Sequence, residues 1–284
     1  MDEFLETNKK YWNESVEIHK KSTLYNVEAF KKGKNKLNSI ELSEIGDISG
    51  KSLLHLQCHF GMDTLALARL GANATGIDFS EVAIKEAKNL SKELNISAKF
   101  IHTDINSLID NLDNSQYKSG ELLKLREEKF DIVFTSSGVL GWLPDINKWA
   151  EVINHYLKPG GFFYIAEIHP ASQLYEYSKE TNQLILKYPY FYSDNPLEFN
   201  DCGDYADRNA KLNNSRTFEW VHNISEVIMA LLNQGLNLEF FHEFPFTCYQ
   251  QYPNMKEDEE GHFRFTDKNI SLPLMFSLKA RKPA

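Results

Sequence analysis

Residues 52–80, SLLHLQCHFGMDTLALARLGANATGIDFS, constrain the fold more than any other stretch of the chain. An apolar run of Leu53, Leu54 and Leu56 leads into a turn over residues 57–61. Leu65, Leu67, Ala68 and Leu70 then follow at mixed three- and four-residue spacing. This is the pattern of a buried strand, a tight turn and an amphipathic helix. Gly71 stops the helix, and a second apolar run over residues 74–77 ends in Asp78. A strand, turn, helix and strand ending in a carboxylate form the nucleotide-binding half of an open α/β sheet, whose ligand sits at the carboxyl ends of the strands. Asp78 lies 17 residues after Gly61, near the spacing of about 20 at which such folds place an acid on ribose hydroxyls. One carboxylate accepts from both hydroxyls and so orients a whole nucleoside. The competing use of Asp78, as N-cap of a helix from Glu81, is served better by Ser80.

The alternation continues along the chain. Residues 98–102, 130–135, 162–168, 236–243 and 272–278 read as further strands, and residues 80–90, 145–157 and 224–234 as helices. A helix over residues 4–20 and a short one over residues 42–48 precede the first strand. Residues 111–128 read as a polar insertion, a loop and then a short helix; residues 158–161 read as a turn, and residues 252–268 as a polar loop. The last two strands lack a crossover between them, so they pair antiparallel. The expected fold is Rossmann-like: a seven-stranded mixed sheet with helices on both faces and its last strand antiparallel. Residues 170–216 break the alternation and are too long for an ordinary connection. They carry Tyr175, Tyr177, Tyr188, Tyr190, Phe191, Tyr192, Phe199 and Tyr205. This segment reads as a cover over the open end of the sheet; the alternative is a peripheral unit whose aromatics form a small core of their own.

Five segments in order, HLQCHFG, GIDFS, FIHTDI, FDIVFTSSGVLGWLPD and LKPGG, resemble the motifs of class I S-adenosylmethionine-dependent methyltransferases. The resemblance covers residues 51 to about 170 and, more weakly, the last strands. It divides the chain into an N-terminal helical leader (residues 1–50) and a methyltransferase domain (residues 51–284), with residues 170–220 as an inserted substrate cover. It implies S-adenosyl-L-methionine as cofactor, with Gln57, Cys58, His59, Gly61, Phe79 and Ser136 around it and Asp78 on its ribose. Asp104 then accepts from the adenine amino group and Ile105 packs on the ring. Tyr11, paired with Trp12, resembles a leader that closes over the cofactor, although such a pair also serves to anchor a helix. Asp104 is equally placed to cap the turn after it. The first motif departs from the family's DxGxGxG: His55 stands for the acid, and Gln57 and His59 for the first two glycines. HLQCHFG resembles the variant carried by a subset of small-molecule methyltransferases.

Composition narrows the partners. The net charge is −9 and the pI about 5.5, whereas nucleic-acid binders carry a basic footprint. Cys58, Cys202 and Cys248 have neither disulfide-framework nor zinc spacing, and no metal is expected. The first ten residues, MDEFLETNKK, lack an apolar signal core, and no run is long enough to span a membrane, so a cytoplasmic protein is expected. The reading is methyl transfer to an oxygen or nitrogen of a small molecule. His169 and His222, which flank the aromatic segment, are the candidate proton acceptors. The alternative is a non-catalytic S-adenosylmethionine-binding or regulatory protein on the same fold. A nicotinamide-dependent oxidoreductase fits less well, because the three-glycine turn is missing.

Overall fold

The computed structural model describes residues 2–105, 108–109, 120–200 and 203–284. Three helices, α1 (Asp2–Lys21), α2 (Val27–Lys31) and α3 (Ser39–Glu44), precede the sheet. The third starts earlier than the apolar pattern suggested, because Asn38 and Glu41 form a reciprocal capping box.

The chain then runs through β1 (Ser52–Leu56), α4 (Met62–Arg69), β2 (Asn73–Asp78), α5 (Glu81–Leu94), β3 (Lys99–His102), α6 (Glu121–Glu127), β4 (Phe130–Thr135), α7 (Ile146–Tyr156) and β5 (Leu157–Ile168). Two antiparallel pairs follow, β6 (Tyr175–Ser178) with β7 (Gln183–Leu186) and β8 (Leu197–Asn200) with β9 (Arg216–Glu219). The remainder is α8 (Ile224–Asn233), β10 (Asn237–Phe244), the hairpin β11 (Met255–Glu257) and β12 (Phe263–Phe265), and β13 (Met275–Arg281). The loop expected before α6 falls largely on residues 110–119, outside the described residues. The turn expected at residues 158–161 loops out of β5, since Phe130 faces Leu157 but Ile132 faces Phe162.

Seven strands form one sheet in the order β10-β13-β5-β4-β1-β2-β3. β1 to β5 pair in parallel, and β13 runs antiparallel to both β5 and β10. The expected mixed sheet is therefore the observed one. The strand order reverses at β1, which lies between β2 and β4; a crevice opens at such a switch point, beyond the carboxyl ends of the strands.

Both faces of the sheet are covered, as parallel strands require. Successive residues of β1 serve opposite cores. Leu54 and Leu56 pack with Trp149, Ile153, Val227 and Leu231 on one face. Leu53 packs with Val16, Leu65, Ala83 and Ala87 on the other. A third, smaller core joins Tyr252, Met255 and Leu274 to Tyr175, Tyr177, Phe263 and Phe265. The segment expected as a polar loop at residues 252–268 therefore contains a hairpin, because Phe263 and Phe265 alternate along β12 and give it an apolar face.

Gly61 sets how closely the site's first loop approaches the sheet. Its φ is +79°, and a Cβ there would lie 2.5 Å from Phe100 Cε1 and 2.8 Å from Ala87 Cβ. Gly61→Ala combines a left-handed residue, costing about 1–2 kcal/mol, with overpacking of about 1–3 kcal/mol. Urea denaturation should show a loss of about 2–5 kcal/mol; an unchanged midpoint and slope would contradict this account of the packing.

Candidate functional site

The loop from β1 to α4 turns three times through left-handed backbone, at Gln57 (φ +55°), His59 (φ +51°) and Gly61 (φ +79°). Two side-chain-bearing residues thus hold a shape that costs glycine nothing, at about 1–2 kcal/mol each. Specific bonds keep them there. Gln57 Nε2 donates to Val139 O at 3.2 Å, Cys58 N donates to Ile77 O at 2.9 Å, and His59 N donates to Asp78 Oδ2 at 2.8 Å. The other oxygen of Asp78 accepts from Ser80 N at 2.9 Å, while Ser80 caps α5 by accepting from Ala83 N. Burial, with a smaller push from Asp104, raises the Asp78 carboxyl to about 6 against these N–H bonds. An ionised carboxylate offers about four acceptor positions; the backbone N–H groups of His59, Ser80 and Phe79 draw on three, and one remains for a ligand.

Beneath the loop lies His55, where an acid would be expected. It is fully buried; its Nδ1 is 2.8 Å from Thr64 Oγ1 and its Nε2 is 3.2 Å from Ser136 Oγ. Burial lowers its pKa to about 3, so it is neutral. Ser136 also bonds to Asp63, whose carboxyl is raised by burial. Across the crevice, the buried Glu167 accepts from the backbone N–H groups of Gly138, Val139, Leu140 and Ile168 and fixes the segment after β4.

These elements enclose a cavity of about 360 Å³. Of the residues anticipated from sequence, Gln57, Cys58, His59, Gly61, Asp78, Phe79, Ser136 and His222 line it. Four others do not. Tyr11 turns away, donates to Asp204 at 3.2 Å and stacks on Trp142; its neighbour Trp12 takes the cavity face, since consecutive helical residues point about 100° apart. Ile105 is buried in the sheet core beside α6. Asp104 follows β3 and raises Asp78, yet stays off the cavity wall. His169 caps a short turn, accepting from Ala171 N at 3.1 Å, and lies 3.0 Å from Glu243. His222 reaches the wall, but its Nε2 donates to Leu143 O at 2.7 Å, and its Nδ1 is buried without a partner among the described residues.

The wall also includes residues not singled out from sequence: Tyr25, Lys36, Asp63, Glu167, Glu219, Trp220, Cys248 and Tyr249. Asp63 and Glu167 carried a readable signal, as acids at a helix start and a strand end; Cys248 and Tyr249 carried none. Of the eight aromatics named in the insertion, only Tyr205 lines the cavity among the described residues; Tyr175 and Tyr177 belong to the third core. The leader is stitched to this region. Asn8 donates to Phe218 O and accepts from Phe218 N at 2.7 and 2.8 Å, and Glu14 accepts from Asn213 and Asn214.

Comparison with known proteins follows the same lines. Residues 48–209 match a family described as a methyltransferase domain. A ubiquinone biosynthesis O-methyltransferase of Coxiella burnetii is 28% identical over 131 residues, covering 46% of this chain and 49% of that protein. A protein of the same description from Pasteurella multocida is 27% identical over 139 residues, covering 48% and 55%. The chain thus spans about half the length of these curated relatives. Among solved structures, an S-adenosylmethionine-dependent methyltransferase from Mesorhizobium loti has a TM-score of 0.59 at 17% identity, covering 89% of this chain and 100% of that one. Another, from Clostridium acetobutylicum, has a TM-score of 0.52 at 15% identity, covering 86% and 89%. At these identities the structures share a fold with this chain.

The raised Asp78 carboxyl makes stability depend on pH. Its folded value of about 6 lies above the ordinary 3.8, so the folded chain holds the proton more tightly than the unfolded one. The stability tied to this group is present below the ordinary value and is lost as pH rises through about 6, up to about 3 kcal/mol in all. In denaturation at a series of pH values, Asp78→Asn should lack this loss. Parallel curves for the two proteins across that window would exclude a raised Asp78.

Proposed function

The chain belongs to the methyltransferase-domain family, and from that premise we propose that it is a methyltransferase that moves the methyl group of S-adenosylmethionine to an oxygen or nitrogen of a small molecule. One observation carries the reading: a single cavity at the β1/β4 switch point joins the Asp78 carboxylate to an aromatic wall of Trp12, Tyr25, Trp142, Tyr205, Trp220 and Tyr249.

The residues present fit the donor. Asp78 keeps acceptor capacity for a ribose hydroxyl, with Phe79 beside it. Aromatic faces suit a sulfonium, and Asp63, Asp78, Glu167 and Glu219 outnumber Lys36 on the wall, a balance that favours a cationic ligand. When bound, S-adenosylmethionine supplies a methyl group activated by a positively charged sulfur. The protein's share is to align an acceptor with that methyl and to keep water out. In this reading the inserted segment acts as part cover, giving the wall Pro170, Gln173, Tyr205, Glu219 and Trp220.

A small acceptor is favoured by a cavity within the usual range of about 300–1,000 Å³ and by an acidic chain that lacks a basic footprint. No helix among the described residues is long and apolar enough to cross a membrane.

Two measurements test the proposal. Equilibrium binding of S-adenosylmethionine should weaken about ten- to a hundredfold in Asp78→Ala, since hydrogen bonds to a charged group are worth about 1.5–3 kcal/mol. In the wild type it should also weaken as pH falls through about 6, where Asp78 takes up its proton. A folded Asp78→Ala protein with undiminished donor affinity would sink the assignment. Incubation with labelled donor and a panel of phenols and amines should label at least one of them. Donor binding with no acceptor labelled would favour the non-catalytic reading instead.

A further inference from the structure

His59 occupies a left-handed position that glycine fills without strain, and its ring has a use there. Asp204 Oδ1 and Oδ2 each lie 3.0 Å from His19 Nε2, and His19 Nδ1 lies 2.7 Å from His59 Nε2. The His19 and Asp204 side chains are both 0% exposed. Three parts of the chain thus meet in one line: the inserted segment, the leader helix α1 and the loop after β1. We propose that His59 is the proton acceptor of the transfer, with His19 and Asp204 as its positioning residues; this rests on the methyl-transfer reading above.

Hydrogen-bond polarity fixes the direction of the line. Burial works to raise the Asp204 carboxyl, but bonds from His19, Ala206 N–H and Tyr11 outweigh it and hold it low. An ionised carboxylate only accepts, so His19 donates from Nε2. With a single ring proton assigned to His19, on Nε2, its Nδ1 accepts and His59 donates from its own Nε2. The lone pair of His59 is left on Nδ1. That atom has no partner among the described residues and is not among the buried unpaired ones, and His59 lines the cavity. Burial holds its pKa well below the ordinary value, so it is uncharged near neutrality.

The other two histidines near the cavity are less suited. The unpaired Nδ1 of His222 is closed off from any ligand, and the Nδ1 of His169 accepts a backbone N–H. A base oriented by a second group, itself oriented by a carboxylate, is the arrangement by which nucleophiles are commonly activated.

The step balances as follows. The acceptor's O–H or N–H proton passes to His59 Nδ1 while the acceptor's lone pair bonds to the methyl carbon. The carbon–sulfur bond breaks, its electron pair stays on sulfur, and a neutral thioether leaves. The imidazolium donates to His19, and the Asp204 carboxylate balances the charge.

Nitrogen NMR of isotope-labelled histidine in the wild-type protein tests the relay without any acceptor. His19 and His59 should both carry their proton on Nε2 near neutral pH. A proton on His59 Nδ1, as a charged His19 would impose, overturns the proposal. The titratable groups around His59 are His19 and, behind it, Asp204 and Tyr205, together with Tyr25, Asp63 and Asp78.

The transfer arm uses labelled S-adenosylmethionine and the phenol and amine panel. His59→Ala keeps the backbone N–H that Asp78 takes, and its transfer is read at saturating donor so that any loss of donor affinity is measured separately. Its transfer should fall about 100- to 10,000-fold and recover in part with added imidazole. Asp204→Asn should shift the acid limb of the pH–rate profile, and Asp204→Glu should restore it. Transfer near the wild-type rate in His59→Ala refutes the base role. A wild type that binds donor but labels nothing refutes the transfer itself, and the NMR result tells a wrong relay from a wrong reaction.

Discussion

The bond from His59 N to the Asp78 carboxylate, at 2.8 Å, is the constraint on which the rest of the site depends. It crosses from the loop after β1 to the end of β2, the two strands flanking the nucleotide side of the crevice. It fixes a residue in left-handed backbone that would otherwise relax. Because Ser80 N bonds the other oxygen, the same carboxylate sets the start of α5. A ligand that bonds Asp78 therefore meets a group whose position is already determined. The cost appears as a carboxyl raised to about 6, a group in reserve against burial until something in the cavity shares its charge.

The replaced acid has its own logic. A carboxylate at position 55 would be a buried charge under the loop. The neutral His55 instead bridges Thr64 and Ser136, tying α4 to the end of β4 without a charge to solvate. The acidic side chains of the site, Asp63, Asp78, Glu167 and Glu219, lie higher, at the cavity wall. The loop thus holds Gln57, His59 and Gly61 in left-handed backbone above a neutral histidine.

The seven-stranded mixed sheet with its last strand antiparallel, the cap at Ser80 and the position of Asp78 at the end of β2 were legible, because each follows from periodicity, from connection length or from a residue's position at a strand end. Side-chain direction was not. Tyr11 and Trp12 share a helix turn, and only docking of α1 decides which faces inward. His169 stands one residue beyond β5, where strand alternation no longer predicts a direction, and a backbone N–H claims its Nδ1. The density of aromatics in the insertion was plain, but their destinations were not: Tyr175 and Tyr177 pair with the late hairpin, while Phe191 is 72% exposed. Cys248 and Tyr249 reach the cavity from a segment with no period of its own, placed by the strands on either side.

The stitching of α1 to the inserted segment also bears on how the molecule is assembled. Asn8 and Phe218 are 210 positions apart, and His19 and Asp204 are 185 apart. The parallel strands from β1 to β5 need far shorter closures, and long closures are entropically the more demanding. The sheet can therefore form with its crevice still open on one side. The wall that completes the cavity joins the first part of the chain to the later parts, so a ligand that fills it bears on contacts of far longer sequence separation than those of the parallel strands.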